Sequence, residues 1–309
     1  MNDVDRATGV DFSEKVTRLS RASVGVGFDA YRDIDWDSDE MTVDPTDRRF
    51  VLPASDPLAN TTWYHSLPAD DQARVGLVRL VASLKTAVHF ENILQQGLLH
   101  RALYLDSGAA EFRYIHHEVI EESQHTLMFN EFISRSGLKV RGMPWALRRF
   151  TELLVPILSQ YSPGVFFMMV LGGEEPLDLL QRRALDTSEL HPLIEKIMRV
   201  HIAEESRHIS YARAAVRHEV PQLGRVRRQL LAFFCPLILG IMVRLMVVPG
   251  RDLSKVAGVP KDVLREAFGG PEGRRVLADS VARSRNLLRE QGAITPVGRL
   301  VWKAFGIWS

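Results

Sequence analysis

From Ala69 onward, the apolar residues recur with the spacing of one helix face, as in "VGLVRLVASLKTAVHFENILQQGLLHRALYL". The chain shows no convincing alternation of apolar and polar positions, which would be typical of strands. Clusters of glycine and proline mark the breaks between the helical segments. The pattern predicts an all-α bundle, in which four helices are long enough to span a core. The expected long helices are 70–105, 110–136, 145–160, 163–185, 190–218 and 222–245, with two shorter helices after 260.

The segment before the first long helix has a different pattern. A short amphipathic piece runs from Phe12 to Leu19, and it is followed by the acidic stretch "DIDWDSDEM" and the loop "PTDRRFVLPASDP". We expect residues 1–69 to form an irregular lead-in packed on the body, and residues 70–309 to form one domain.

Composition narrows the possible functions. The 309 residues include 39 Lys and Arg against 38 Asp and Glu, so a net charge of +1 gives no broad field for attracting nucleic acid. The only cysteine is Cys235, which excludes an intrachain disulfide and any metal site built on several thiolates. A metal must therefore be held by histidine and carboxylate side chains.

Two segments bear on location. The N-terminus "MNDVDRATGVDF" has no basic start followed by an apolar core, so it does not resemble a secretory signal, and we expect a cytoplasmic protein. Residues 230–248 ("LLAFFCPLILGIMVRLMVV") are apolar enough to be considered as a membrane span. Pro236 and Arg244 interrupt this segment and favour a buried helix of the bundle.

Two Glu-x-x-His pairs carry the chemistry. Glu122 and His125 are three residues apart, so they project from one side of a helix, and Glu205 and His208 repeat this spacing. A four-helix carboxylate site for two metal ions requires such a pair on each of two helices and one further Glu on each of the other two. Upstream of the first pair, Glu91 lies within an apolar helix.

The second half of the chain repeats this arrangement. Glu174 precedes Glu205 by the same separation as Glu91 precedes Glu122. Each of these residues in the first half is therefore separated from its counterpart in the second half by the same number of positions, here called the repeat offset. The repeat offset pairs Glu91 with Glu174, Glu122 with Glu205 and His125 with His208. This predicts two helical hairpins related by a pseudo-two-fold axis. The neighbouring Glu175 is the alternative ligand, but the repeat offset pairs it with Asn92, which favours Glu174.

The residue types suit hard, oxygen-seeking ions such as Fe²⁺ or Mn²⁺, because bridging carboxylates hold two cations close together and cancel their charge. Burying these carboxylates without cations would be costly. The alternative is that they form solvated faces of amphipathic helices. A zinc protease is excluded, because His117 and Glu118 are not followed by a second histidine at the required position.

His201 lies four residues before Glu205 on the same helix face, so it can reach the same cluster. The residue at the matching position of the first half is Glu118, and the two metals therefore need not have equivalent ligands. Alternatively, His201 is a surface histidine, or it contacts a metal-binding residue without binding metal itself.

With these residues, the chain resembles the p-aminobenzoate N-oxygenase family of ferritin-like non-haem diiron proteins over roughly residues 70–250. That family carries an extra histidine in the order His-x-x-x-Glu-x-x-His, matched here by His201, Glu205 and His208. The resemblance implies a ferritin-like four-helix core within residues 70–218 and two iron ions per chain, with manganese as an alternative. The implied ligand set is Glu91, Glu122, His125, Glu174, His201, Glu205 and His208.

The resemblance further implies that the reduced centre binds O₂, forms a peroxo-diferric species and oxygenates an arylamine toward hydroxylamine and nitro products. The chain has no flavin or nicotinamide motif, so an external electron donor is an expected partner, and a homodimer is possible. Asp178 is expected either to hydrogen-bond a ligating imidazole or to be a plain surface carboxylate. Two alternatives remain: a diiron fatty-acyl desaturase or hydroxylase without the extra histidine, and an iron-storage protein with ferroxidase activity.

Overall fold

The computed structural model describes residues 3–25, 27–187 and 189–308, and within them the chain is helical without strands. Short 3₁₀ turns and loops connect the helices. The helices are α1 (Asp3–Gly25), α2 (Thr62–His65), α3 (Ala69–Ala102), α4 (Ala110–Arg135), α5 (Trp145–Tyr161), α6 (Pro163–Thr187), α7 (Pro192–Glu219), α8 (Arg225–Val247), α9 (Arg251–Val256), α10 (Lys261–Gly269), α11 (Pro271–Ser280), α12 (Ala282–Glu290) and α13 (Pro296–Ala304).

Four long helices form the ferritin-like core: α3 packs mainly on α4, and α6 packs mainly on α7. Their ends follow the usual chemistry of helix termini. Helix α3 has Asp70 and Asp71 in its first turn and His100 and Arg101 in its last turn, where they complement the helix dipole. The prediction of an all-α fold is confirmed, and the six long helices lie within a few residues of their predicted bounds.

A glycine brings α6 close to α3 beside the matched glutamates of the two halves. A Cβ atom on Gly173 would lie 2.1 Å from Phe90 Cζ, so only glycine leaves room for this ring. Phe90 directly precedes Glu91, and Gly173 directly precedes Glu174. The close approach therefore places these two glutamates on facing helices in the bundle interior.

The lead-in contains a longer helix than the amphipathic pattern at Phe12–Leu19 predicted. Helix α1 lies against α4 and α7, with Val16 buried in the main core. The following segment consists of turns, and Phe50 stacks on His191 at a ring distance of 4.8 Å. These contacts place the lead-in against both hairpins.

Helix α8 packs one face on α6 and leaves the other outward. Leu231, Cys235 and Leu239 are buried, whereas Leu230 and Phe233 are exposed. Within the described residues, one helical stretch, Arg225–Val256, is long and apolar enough to cross a membrane, and 56% of its most apolar window is buried. The segment predicted as a bundle helix is thus partly buried against the core.

The described residues after 260, which end at 308, fold into four short helices, α10 to α13, so the prediction of two was wrong. Gly270 separates α10 from α11, whose first residue is Pro271, and Thr295 caps α13 by accepting a hydrogen bond from Gly298 N. These local stop and start signals divide what sequence periodicity suggested were longer segments. Helix α13 packs on α8 and buries Trp302.

Candidate metal centre

The four core helices direct seven ionisable side chains into the bundle interior, and each is at most 1% exposed. Helices α3 and α6 supply one glutamate each, and α4 supplies a Glu-x-x-His pair. Helix α7 supplies a second such pair and one further histidine one turn earlier. The seven residues are Glu91, Glu122, His125, Glu174, His201, Glu205 and His208.

Their donor atoms form overlapping groups. Each residue of a group contributes one donor atom, and the donor atoms of a group all lie within 4.8 Å of one another. The groups share members, so the donors form one continuous cluster. The structure therefore brings all seven sequence-predicted residues together. The groups are Glu91, His125, His201 and Glu205; Glu122, His125, Glu205 and His208; and Glu91, Glu122 and Glu174.

Within the part of the chain that the structure describes, no hydrogen-bond donor reaches two of the glutamates. Both carboxylate oxygens of Glu91 and both of Glu174 are buried without a hydrogen-bond partner. Burial, reinforced by Glu122 near Glu91 and by Glu205 near Glu174, raises the pKa of both carboxyls well above their usual value. Buried charge without a partner is costly, and a pair of cations among these oxygens would remove that cost. The donor set thus fits metal ions.

The histidines of the two pairs present the same nitrogen to the cluster. His125 Nδ1 lies 3.2 Å from Glu122 Oε2, and His208 Nδ1 lies 2.9 Å from Glu122 Oε1. Each Nε2 points outward to a carboxylate: His125 Nε2 lies 2.9 Å from Glu204, and His208 Nε2 lies 2.7 Å from Glu121. A carboxylate that accepts the Nε2 proton leaves Nδ1 free to bind a metal.

His201 enters the cluster in the opposite orientation. Its Nδ1 lies 2.9 Å from Gln181 Oε1, an acceptor, so Nδ1 carries the proton. Its Nε2 lies 3.4 Å from Glu205 Oε1 and has no hydrogen-bond partner. Burial lowers the pKa of His201 to about 4, which keeps the ring neutral. A neutral imidazole with an unused Nε2 lone pair therefore faces the cluster.

A family model for the p-aminobenzoate N-oxygenase AurF matches residues 11–292. The chain belongs to this family. Uncharacterized proteins from Mycobacterium tuberculosis and Mycobacterium bovis are each 38% identical to it over 303 residues, which cover 97% of this chain and 89% of each relative. The family resemblance stated from the ligand motifs is confirmed, and the match extends beyond residues 70–250 to include much of α1 and helices up to α12.

In this member of the N-oxygenase family, Glu175 points away from the cluster. Its Oε1 accepts a hydrogen bond from Arg213 Nε at 2.9 Å, and its Oε2 accepts one from Ser284 Oγ at 2.7 Å. Glu175 belongs to none of the donor groups, whereas Glu174 does. The geometry therefore agrees with the choice of Glu174 that the repeat offset favoured.

Both expectations for Asp178 were wrong. The side chain is 1% exposed, and it accepts hydrogen bonds from Arg182 Nε at 2.8 Å and Arg283 Nη1 at 3.5 Å. Among the described residues, no imidazole hydrogen-bonds to it. The partner of the His201 ring is Gln181, which lies one turn later on α6 and which the sequence did not single out.

Sequence reasoning also missed the two outer carboxylates of this N-oxygenase family member, although a signal was present. "EESQH" and "EESRH" both begin with a Glu doublet, so Glu121 and Glu204 match at the same repeat offset as the inner glutamates. Arg207 lies between them: its Nη2 is 2.8 Å from Glu121 Oε1 and 3.6 Å from Glu204 Oε1. The doublets therefore supply one inward and one outward carboxylate each.

Proposed function

We propose that this protein is an O₂-dependent oxidoreductase that oxygenates the nitrogen of a small arylamine at a dinuclear iron centre. The family supports an oxygenase, and the buried donor cluster supports a metal site. When bound, two iron ions would supply the sites for O₂ and the redox change that amine oxygenation requires. The residues that would hold them are Glu91, Glu122, His125, Glu174, His201, Glu205 and His208.

The unpartnered carboxylates of Glu91 and Glu174 carry this proposal. A purely structural role would give such buried oxygens a donor, as Arg213 and Ser284 do for Glu175. Oxygen and imidazole donors without thiolates favour iron or manganese over the softer metals. The chemistry of the donor set thus supports a dinuclear site for hard divalent ions.

The surrounding side chains orient the donors and exclude water. Glu204 and Glu121 hold the His125 and His208 rings so that each Nδ1 faces inward. The buried Phe129 ring lies 5.1 Å from the His201 ring and forms an apolar wall on that side. A dry, shaped site protects a reactive centre from side reactions with solvent.

The proposal requires an electron donor from outside the chain. We expected such a donor from the sequence, because the chain has no flavin or nicotinamide motif. A cytoplasmic location and a homodimer belong to the same set of proposals.

A reconstitution experiment tests the function. The full chain is loaded with excess Fe²⁺ under argon, desalted and analysed for iron; it is then reduced and mixed with ¹⁸O₂ and an aniline, and products are examined by mass spectrometry. We expect two iron ions per chain and ¹⁸O on the nitrogen. One iron ion or none would contradict a dinuclear centre. Oxidation of a fatty-acyl substrate supplied in a parallel reaction, without oxygenated amine in the first, would favour the desaturase alternative, and a large shell that mineralises iron would favour storage.

A further inference from the structure

An apolar pocket of about 130 Å³ is lined by one side chain that also contacts a residue of the candidate metal centre. Gln181 lines this pocket, and its Oε1 accepts the Nδ1 proton of His201 at 2.9 Å. Leu177, also in the lining, lies one turn before Gln181 and one turn after Glu174 on α6. The pocket thus ends against the helix face that supplies the cluster.

The lining of this pocket comes mainly from α3, α6, α7, α8 and the segment before α2, with Leu190 and Val276 in addition, and it is mostly aliphatic and thioether. An apolar cavity with a few polar groups favours a ligand with an apolar body, because binding removes that surface from water. The apolar side chains that line the pocket include Leu84, Leu177, Ile194, Ile197, Met198 and Met246.

The two arginines of the lining are already neutralised. Arg79 Nε lies 3.0 Å from Asp56 Oδ2, and its other nitrogens donate to Ser83 Oγ at 2.8 Å and to Val247 O at 2.6 Å. The side chains of Arg79 and Asp56 are only 10% and 11% exposed. Each of the three guanidinium nitrogens of Arg79 therefore donates to a protein acceptor within a poorly solvated site.

The second arginine, Arg49, is paired with Asp47, with Nε 3.0 Å from both carboxylate oxygens. A ligand carboxylate in the pocket would find no free cation among the lining residues and would meet the negative charge of Asp56. A carboxylate placed there would either share an arginine that is already neutralised or displace the aspartate from it, and in both cases one negative charge is left without a cation of its own.

From these contacts, we infer that the pocket is the substrate site and selects uncharged arylamines with an apolar substituent, discriminating against amines that carry a carboxylate such as p-aminobenzoate. This inference rests on the proposed function. Gln181 links the pocket to the metal centre. A substrate that packs against the Gln181 side chain lies beside the His201 imidazole, which Gln181 orients.

Matched probes test the charge selection. Ethyl 4-aminobenzoate and 4-aminobenzoate share the ring and the amine and differ in the charged group. Titration calorimetry on the iron-loaded full chain at neutral pH should give a Kd at least about tenfold lower for the ester, because the carboxylate must be desolvated without a free partner. Equal affinities, or tighter binding of the carboxylate, would overturn the inference.

Two substitutions locate the effect. Asp56→Asn keeps the acceptor that Leu58 N uses and releases Arg79, so the affinity of 4-aminobenzoate should rise and the discrimination should shrink. Asp37→Asn is the matched control, because Asp37 pairs with Arg135 at an exposed position outside the pocket, and it should change neither Kd. An unchanged ratio in Asp56→Asn would contradict the assignment.

Ala184→Met adds volume inside the pocket, where Ala184 is 6% exposed. It should weaken binding of the ester while the iron content stays at the wild-type value, and unchanged ester binding would show that the site lies elsewhere.

The readouts separate the two proposals. Tight, selective binding of the ester without oxygenation would refute the function and leave the pocket assignment standing. Oxygenation of both probes with equal efficiency would refute the pocket assignment and leave the function standing.

Discussion

The two helical hairpins of the core, α3–α4 and α6–α7, differ at one buried position of the cluster. Their inner glutamates, outer glutamates and Glu-x-x-His histidines all match at the repeat offset. At that offset, however, Glu118 of α4 corresponds to His201 of α7. The repeated residues form a symmetric frame, and this exchange makes its two ends chemically different.

The exchanged residues lie in different surroundings. Burial raises the pKa of Glu118 to about 8, and Glu118 belongs to none of the donor groups. His201 belongs to one of them and faces it with an unpaired Nε2. We expect the symmetric residues to determine whether metal is bound and the exchanged position to determine how the two metals differ.

The outer contacts cross between the hairpins. Glu204 of α7 holds His125 of α4, and Glu121 of α4 holds His208 of α7. Each hairpin therefore orients the histidine of the other, and neither half of the site is complete alone. Arg207, whose counterpart at the repeat offset is Gln124, contacts both outer carboxylates.

The largest expected effect comes from the inner glutamates of the two Glu-x-x-His pairs. Glu122 and Glu205 each belong to two donor groups, so Glu122→Ala and Glu205→Ala should each leave at most one iron ion per chain and abolish amine oxygenation. Elemental analysis with circular dichroism measures this. His116→Ala, an exposed histidine of the same helix α4, is the control and should retain the wild-type iron content. Full iron content in either glutamate variant would contradict the symmetric frame.

The next largest effect separates two adjacent glutamates of α6. Glu174→Ala should lose iron without lowering the stability of the metal-free protein, since it removes a buried acid that has no donor. Glu175→Ala should retain iron but lower the free energy of unfolding by about 3 kcal/mol, because Arg213 and Ser284 lose their buried partner. Iron analysis and urea denaturation of both variants measure the two effects. Iron loss in Glu175→Ala alone would show that the wrong glutamate was chosen.

A smaller effect is expected from the outer carboxylates. Glu121→Gln and Glu204→Gln keep the side-chain shape but weaken the hold on one histidine each, so each should lower iron affinity by about 10- to 100-fold. Competition with a chelator measures the affinity. The crossed contacts predict similar losses in the two variants. A loss confined to one of them would show that the frame is functionally asymmetric in its outer contacts as well.

The sequence predicted the parts of the molecule that depend on periodicity and on residue spacing. Helical spacing indicated the four core helices, and the repeated spacing of glutamate and histidine indicated the seven residues that the structure brings together. Spacing did not reveal contacts that depend on side-chain direction between helices. Gln181 and Asp178 lie on the same side of α6, and spacing alone did not show that Gln181 contacts an imidazole while Asp178 contacts arginines.

The smallest expected change in metal content comes from the position where the hairpins differ. His201→Ala should fold and bind two iron ions at saturating Fe²⁺, because four carboxylates and two histidines remain in the cluster. Its optical spectrum after reduction and mixing with O₂ should differ from that of the wild type, because one nitrogen donor is missing. The response of that spectrum to an added aniline should be lost. Rapid-mixing spectroscopy measures both.

The corresponding variant of the first hairpin, Glu118→Gln, makes this prediction specific. Glu118 lies outside the donor groups, so a neutral amide of the same shape should leave both the iron content and the spectrum after O₂ addition unchanged. Identical spectra for His201→Ala and the wild type would place His201 outside the metal ligands. A spectral change in Glu118→Gln as large as that in His201→Ala would show that both positions reach the metals, and the exchange between the hairpins would then not distinguish the two ends of the site.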